Sequence, residues 1–535
     1  MRRGQWILAS LLAAASLSSI SEWTSAADPP DKSAADHVEL GRKLFLHDWS
    51  KPESWDSGIE LGDGGDGLGP MYNAVSCVAC HHLGGIGGAG PIEANVDLLH
   101  VMRPRGRALS LRRSAFMKDA ARIHPGFEDG LSVVLHGFGI DETDNPYPYH
   151  AWRSRLLGLS EKQPLSPEHP SRRIDGINVR FTQRNTPALF GAGIIDSIPE
   201  KVLIETAGRQ RFEGVSGRVA KTDTGKVGRF GWRGQTATLH DFVLGACANE
   251  LGLTVPGSVQ PENTLARLER SKSNRIDRLL APSRAEQLDL TDEQCRALTA
   301  FVARLSPEPA ARPKDRHAVA DAEGEELFAT IGCTACHLAD LGPARGIYSD
   351  LLLHDMGPGL SDPLAAAPDL PIDSPRIQRP ESSGGYSGSS LAMRTRQTES
   401  LEQEWRTPPL WGVSLSAPYL HDGRAATLEE AVLLHGGEAS EAITRFRRLS
   451  ENEQKLVLRF LASIPAPAAS HVSAPAAAAQ PGGDAKAASA TRRQINTEPC
   501  PPSPPSVRTR RAPADGRLAA ASSPGRAAPS PAPRR

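Results

Sequence analysis

The most regular hydrophobic patterns of this chain have helical spacing. Thr238 and Thr427 each open a segment that places Val and Leu on one face, which predicts two amphipathic helices. Two further helices are predicted to begin at capping boxes, in which the first and fourth residues exchange hydrogen bonds. Apolar and polar residues seldom alternate with a period of two, so we expect a mainly α fold with little sheet. The capping boxes are Thr291 with Gln294 and Ser450 with Glu453.

These patterns come in pairs, as though one unit of sequence occurs twice. Residues 41–45, Gly-Arg-Lys-Leu-Phe, are echoed by residues 324–328, Gly-Glu-Glu-Leu-Phe. Residues 184–191, Arg-Asn-Thr-Pro-Ala-Leu-Phe-Gly, are echoed by residues 406–412, Arg-Thr-Pro-Pro-Leu-Trp-Gly. A linker rich in Pro and charged residues, 306–319, separates the copies. The sequence therefore predicts an internal duplication that forms an N-terminal domain at 38–305 and a C-terminal domain at 320–465.

Composition sets the loops and the C-terminal tail apart. The chain has 49 glycines and 44 prolines among 535 residues, so much of it is expected to be loop. The Gly- and Asp-rich stretch 56–69 includes residues 63–66, which could hold calcium or simply form a flexible loop. The long segment 362–404 is expected to be a surface insertion or a lid. Beyond residue 465 few large apolar residues remain, which predicts a disordered Ala-, Pro- and Arg-rich tail at 466–535.

The N-terminus indicates export. Arg2 and Arg3 precede an apolar stretch at 6–20, and small residues follow at 24–27. This pattern predicts a signal peptide at 1–27 and a periplasmic or otherwise exported, soluble protein. No later segment is apolar enough to span a bilayer, so no transmembrane segment is expected. The formal net charge of −1 gives no indication of nucleic-acid binding.

Two C-x-x-C-H pentapeptides carry the strongest chemical signal. They are Cys77-Val-Ala-Cys80-His81 and Cys333-Thr-Ala-Cys336-His337. This spacing is the attachment signature of c-type haem, in which both thiols bind the haem covalently and the histidine binds the iron. Two such motifs in an exported chain predict a di-haem cytochrome with two covalently bound haem c groups. The other three cysteines are Cys247 and Cys295, which could form a disulfide or remain buried thiols, and Cys500 in the tail.

The two copies differ at the position that decides what each haem does. A haem whose sixth position is filled by a strong ligand transfers electrons, whereas an open one can bind peroxide. His435 stands eight residues after Thr427, and Ala246 stands eight residues after Thr238. His435 is therefore a candidate iron ligand, although it could instead end a helix as a cation, and Met356 is a competing thioether ligand. Glu250, one helical turn beyond Ala246, could transfer a proton or could be a solvated helix residue.

Further motifs resemble the bacterial di-haem cytochrome c peroxidase superfamily. The chain is most similar to its di-haem oxidoreductase branch, also called thiol oxidoreductase-like. The resemblance covers roughly residues 38–465 and is carried by these segments: 73–88, 184–198, 354–357, 406–412 and 417–424, the last reading Ala-Pro-Tyr-Leu-His-Asp-Gly-Arg. It implies two facing cytochrome-c-like domains, with a peroxidatic haem in the N-terminal domain and an electron-transfer haem in the C-terminal domain.

The resemblance also implies roles for individual residues. The distal ligand of the electron-transfer haem lies fourteen residues after the histidine of the Pro-Tyr-x-His-Asp-Gly block, which is His421 here, and this count again reaches His435. The family usually carries methionine or tyrosine there, so histidine is a departure and predicts a lower reduction potential. Trp232 matches a tryptophan that lies between the haems and is a candidate electron conduit, although it could also be an ordinary core indole. Glu250 matches the distal acid with a spacing that differs by about two residues.

A second departure concerns the first haem. The peroxidases carry a loop histidine that closes the resting peroxidatic haem, just before the segment that matches residues 184–187, and residues 179–183 contain no histidine. We therefore expect the His81 haem to be open. The resulting hypothesis is a peroxidase that receives electrons from a small periplasmic donor protein. The alternatives are an electron carrier without its own substrate and an oxidase that modifies a partner protein, and the chain could be oligomeric.

Overall fold

The computed structural model describes eleven stretches of the chain, and all of them lie within one compact unit, Met1–Ala476. Several sequence predictions fall outside these stretches: the signal peptide, the calcium alternative at 63–66, residues 308–317 of the linker, residues 363–401 of the second loop, and the tail beyond residue 468. The described stretches are 32–50, 67–102, 113–128, 131–139, 149–158, 171–209, 214–222, 224–257, 288–307, 318–362 and 402–468.

The first half of the chain combines helices with short strands. Its described helices are α1 (Lys32–Leu46), α2 (Cys77–Cys80), α3 (Arg113–Ala120), α4 (Tyr149–Leu157), α5 (Ala192–Ser197), α6 (Glu200–Ala207), α7 (Leu239–Glu250) and α8 (Asp292–Val302). Its described strands are β1 (Met71–Tyr72), β2 (Val96–Val101), β3 (Ser132–Val134), β4 (Phe138–Gly139), β5 (Ser171–Ile174) and β6 (Ile177–Arg184).

The sheet is larger than the sequence pattern predicts. Four strands form an antiparallel sheet in the order β3-β2-β6-β5, and β1 pairs with β4. Strand β6 does alternate, because Ile177, Val179 and Phe181 are buried while Asn178 is exposed, but only three apolar residues carry the pattern. The chain is helix-rich with small sheets, which agrees with the predicted mainly α class, although the sequence pattern did not indicate this four-stranded sheet.

The second half is mainly helical. Its described helices are α9 (Ala318–Thr330), α10 (Leu428–Leu433), α11 (Ser440–Arg448) and α12 (Glu451–Ser463). Its described strands, β7 (Leu353–Asp355) and β8 (Glu404–Arg406), pair antiparallel. The predicted capping boxes at Thr291 and Ser450 are both present and begin α8 and α12, because each side chain accepts a bond from the backbone three residues on.

In each half, the helix before the C-x-x-C-H motif packs closely on the helix that ends the half. A Cβ on Gly41 of α1 would lie 2.0 Å from the carbonyl oxygen of Ala297 in α8. A Cβ on Gly324 of α9 would lie 2.3 Å from the carbonyl oxygen of Leu456 in α12. Only glycine allows backbones to approach this closely. Each contact continues in a phenylalanine pair with ring centroids 5.4 Å apart, Phe45 with Phe301 and Phe328 with Phe460.

The ends of the long second loop lie beside each other. The backbone amide of Asp362 donates to the carbonyl of Glu402 at 2.9 Å, and that of Met356 donates to the carbonyl of Gln403 at 2.9 Å. Asp362, which the sequence assigns to a surface segment, is instead fully buried. Among the described helices, none is long and apolar enough to cross a membrane.

Candidate active site

Both C-x-x-C-H motifs line the same cavity. The cavity has a volume of about 1630 Å³ and is walled by residues of both halves, including all four motif cysteines, His81 and His337. A pocket for one drug-sized ligand usually measures roughly 300–1,000 Å³. The cavity is therefore larger than a site for one such ligand requires, and the fold brings together two motifs that are 256 residues apart in sequence.

The first motif is held on a short capped helix. The Ser76 hydroxyl accepts from the amide of Ala79 at 3.1 Å and starts α2, which carries Cys77 and Cys80. The Nδ1 atom of His81 lies 3.2 Å from the carbonyl oxygen of Gly88. Burial lowers the pKa of His81 to about 4, so its imidazole is neutral near pH 7. A proton on Nδ1 leaves the Nε2 lone pair for a metal ion.

The second motif repeats this arrangement. Cys333 begins a short 3-10 helix, and the Nδ1 atom of His337 lies 2.8 Å from the carbonyl oxygen of Tyr348. Burial, with a smaller contribution from the nearby His435, lowers the pKa of His337 to about 4. His337 is therefore also neutral near pH 7, with Nε2 as the nitrogen that can bind iron.

His435 lies on the same cavity just after α10, as the count along the sequence predicts. Its Nδ1 atom is 2.7 Å from the carbonyl oxygen of Ala431. Burial lowers the pKa of His435, so the alternative reading as a helix-ending cation does not fit. The competing ligand Met356 also lines the cavity, so the structure brings both candidates to the site.

The helix that follows Thr238 in the first half brings different side chains to the cavity. Ala246 and Glu250 on α7 both line the cavity. Burial raises the pKa of Glu250, while a hydrogen bond from Asn73 Nδ2 at 2.7 Å opposes the increase. The solvated-helix reading of Glu250 therefore does not fit. Among the described lining residues up to position 307, His81 is the only histidine and none is methionine.

Trp232 connects the two halves at the cavity wall. Its indole Nε1 donates to the carbonyl of Asn185 at 3.0 Å, and its own carbonyl accepts from the amide of Arg406 at 3.0 Å. Arg406 belongs to β8 of the second half, whereas Asn185 follows β6 of the first. Trp232 is thus fixed between the segments that begin Arg-Asn-Thr-Pro at residue 184 and Arg-Thr-Pro at residue 406.

A buried charged cluster underlies the Pro-Tyr-x-His-Asp-Gly-Arg block, and sequence reasoning did not find it. Arg184 Nη1 lies 2.5 Å from Asp362 Oδ2, and His421 Nε2 lies 3.6 Å from the same oxygen. The His421 ring stacks on Trp405 with centroids 3.7 Å apart. The Arg233 guanidinium covers the Trp405 ring at 4.1 Å. These contacts join segments from both halves of the chain, and the only available signal was the motif that contains His421.

His354 forms a second unforeseen cluster beside the second motif. Its Nε2 lies 3.0 Å from Asp350 Oδ2 and its Nδ1 lies 2.7 Å from Glu438 Oε2. Its Nδ1 is also 3.5 Å from the Cys336 sulfur. Burial disfavours a charged imidazole, but the hydrogen bonds to Asp350 and Glu438, with the contact to Cys336, raise the pKa of His354 well above its ordinary value. His354 is therefore a charged neighbour of the motif rather than a neutral candidate ligand.

Cys247 and Cys295 are both buried free thiols. Burial raises the pKa of the Cys295 thiol to about 12, so neither nucleophilic nor metal-binding chemistry is expected there near pH 7. Of the two sequence alternatives, the structure has the buried thiols rather than the disulfide.

The residues present fit haem, because two cysteine pairs, three neutral imidazoles and a large cavity converge. This arrangement defines a haem protein with two attachment motifs on one cavity. The chain belongs to the family described as "di-haem oxidoreductase, putative peroxidase", whose sequence model matches residues 165–370 and 387–464. The membership confirms the predicted superfamily and implies two haem cofactors.

Several solved structures are also similar. A hydrazine synthase from Kuenenia stuttgartiensis is 21% identical with a TM-score of 0.21, and the match covers 33% of this chain and 57% of that one. A MauG-like protein associated with microbial copper homeostasis is 18% identical with a TM-score of 0.25, covering 49% and 82%. A variant of the diheme peroxidase BthA from Burkholderia thailandensis is 15% identical with a TM-score of 0.31, covering 82% and 87%. The chain thus spans little more than half of the hydrazine synthase chain. No curated protein matches it.

Proposed function

We propose that this protein is an exported di-haem c-type oxidoreductase that reduces peroxide at the His81 site with electrons delivered through the His337 site. The proposal rests on one observation: the two C-x-x-C-H motifs have different side chains near them on the cavity wall. One motif is accompanied by His435, and the other by Ala246 and the half-buried carboxyl group of Glu250. When bound, haem supplies iron that can accept electrons at a six-coordinate site and bind peroxide at a five-coordinate site.

Covalent attachment follows from the motif chemistry and is supported by the placement of the cysteines. Cys77 and Cys80 lie on one capped helix, and Cys333 and Cys336 on one short turn, so both thiols of each pair reach the cavity. We expect two haems to stay with the unfolded chain after acid–acetone extraction. A variant with Cys77 and Cys80 replaced by Ser should retain one covalently bound haem. A variant with Cys333 and Cys336 replaced by Ser should also retain one. Haem lost entirely from the extracted wild-type chain would contradict covalent binding.

The two halves are proposed to be copies of one cytochrome-c-like unit, divided at 306–319 as the sequence predicts. The equivalent contacts of Gly41 and Gly324, and the matching phenylalanine pairs, support this reading. Under it, Ala246 and His435 are corresponding positions. The second half then has an imidazole where the first half has a methyl group. This difference would give the second haem a sixth ligand and leave the sixth position of the first haem open.

Glu250 is proposed to transfer the proton that peroxide cleavage requires. A general base and acid must lie near the reacting atoms and have a pKa closer to neutrality than an ordinary carboxyl group. Burial moves the pKa of Glu250 in that direction, and Asn73 fixes the carboxylate. Ala246, one turn away, offers no ligand atom, so α7 leaves room for peroxide beside the carboxyl group.

His435 and Trp232 are proposed to serve electron delivery. His435 would hold the iron of the haem attached at the second motif, because the contact of its Nδ1 with the Ala431 carbonyl leaves Nε2 as the nitrogen that can bind iron. Trp232 lines the cavity that both motifs share and is hydrogen-bonded to a segment of each half, so its indole is the proposed conduit. The donor is proposed to be a small periplasmic electron-transfer protein, in keeping with the signal peptide that the sequence predicts at 1–27.

One experiment separates this function from its alternatives. Electron paramagnetic resonance of the ferric protein should show one high-spin and one low-spin haem. Hydrogen peroxide should then react rapidly with the fully reduced protein, with two electrons consumed per peroxide. Two low-spin signals that do not respond to peroxide in any redox state would replace the proposal with an electron carrier. Slow turnover of peroxide with rapid oxidation of side chains on an added protein would favour the oxidase alternative.

A further inference from the structure

Arg406 lines the cavity with an incompletely bonded guanidinium group. Its Nε donates to the carbonyl of Gly231 at 2.9 Å, but its Nη1 is buried without a hydrogen-bond partner in the described part of the chain. A buried donor without a partner is destabilising, and more so when the group is charged. Burial lowers the pKa of Arg406 to about 10, with no described carboxylate acting against this effect.

The other arginines on the cavity differ in this respect. Arg184, at the corresponding position of the first copy, pairs with Asp362, and Arg218 pairs with Glu404. Asp196 and Glu200 compensate the charge of Arg229, and Asp362 compensates that of Arg233. Arg406 is therefore the cavity-lining arginine whose positive charge no described acidic side chain balances.

We propose that Arg406 binds a haem propionate. A guanidinium group binds a carboxylate well, because two of its parallel N–H donors match the two carboxylate oxygens. The haem carries two such carboxylates, and Arg406 reaches the cavity beside Trp232, to whose carbonyl its own amide is bonded. The bound propionate would hold the haem edge next to the indole, so Arg406 is a binding residue that also sets the distance to the proposed conduit.

The inference rests on haem binding and not on peroxide reduction. Either haem could supply the propionate, and spectroelectrochemistry of the loaded protein distinguishes the two. In Arg406→Gln the propionate loses its positive partner, which favours the ferric state. We expect the ferric–ferrous equilibrium of one haem to shift on the order of tenfold, equivalent to about 59 mV to lower potential for a one-electron couple.

Matched variants make the result specific. Arg345→Gln removes an exposed arginine that pairs with Asp340 and should leave both potentials unchanged. Arg406→Lys keeps the charge and should shift the equilibrium less than Arg406→Gln does. Unchanged potentials in Arg406→Gln, equal shifts of both haems, or an equal shift in Arg345→Gln would overturn the proposal.

A second measurement covers the case in which Arg406→Gln does not load haem. Resonance Raman spectra of Arg406→Lys should then show a displaced propionate bending band, because lysine cannot reproduce the planar pair of donors. An unchanged band would overturn the assignment. Peroxide turnover enters neither measurement, so a protein that binds haem but does not reduce peroxide would contradict the proposed function and leave this inference standing.

Discussion

Replacing Glu250 by glutamine is expected to lower kcat/KM for hydrogen peroxide on the order of 10²- to 10⁴-fold, because positioned proton transfer contributes that much to such reactions. Glutamine keeps the size of the side chain and its contact with Asn73 but cannot accept a proton. Stopped-flow measurement of the reduced protein with peroxide checks the rate. The absorption spectra of both haems should be unchanged, which separates a catalytic loss from a folding defect.

The pH profile gives this prediction a second readout. Glu250 must be ionised to accept a proton, and burial raises its pKa, so kcat/KM should fall on acidification at a pH above that of an ordinary glutamate. Asn73 bonds the ionised form and lowers the pKa. Asn73→Ala should therefore move this acidic limb to higher pH, and Glu250→Gln should remove it.

Glu93→Gln is the matched control, because Glu93 is an exposed carboxyl group of the first half outside the cavity wall. Its rate and its acidic limb should equal those of the wild type. If Glu250→Gln keeps the wild-type limb, another group transfers the proton and the assignment of Glu250 is wrong.

Local patterns predicted the parts of the site that depend on spacing. The two motifs fix a cysteine pair and a histidine within five residues, and the backbone geometry of one turn then suffices to place them. His435 was reached twice by counting along the chain, and the structure places it on the cavity. The capping boxes are equally local, since their hydrogen bonds join residues three apart.

The parts that the sequence could not predict depend on distant partners. Asp362 meets Arg184 across 178 residues, and Asn73 meets Glu250 across 177. Nothing in the surroundings of Asp362, a loop rich in Pro and Ser, indicates that it is fully buried. The sheet was missed for a related reason. Strand β2 pairs along its whole length with β6, which lies some eighty residues later, and neither strand alternates clearly enough by itself.

Loss of His435 is the second large effect that we expect. In His435→Ala the iron held by His337 loses its sixth ligand, so the low-spin signal of the ferric protein should be replaced by a second high-spin signal. Loss of a residue that only hydrogen-bonds a metal ligand typically lowers the activity of a metal site roughly 10- to 100-fold. Loss of the ligand itself should slow electron delivery by at least this factor. Electron paramagnetic resonance measures the first change, and stopped-flow reduction by an excess of donor measures the second.

Met356→Leu is the matched control for this prediction, because Met356 lines the same cavity and leucine preserves its size and apolar character. The low-spin signal should survive in Met356→Leu and disappear in His435→Ala. The opposite result would make the thioether the ligand and His435 a neutral packing residue. The reduction potential of the His337 haem gives a second test, because imidazole favours ferric iron more than a thioether does. If His435 is the ligand, Met356→Leu should leave this low potential unchanged.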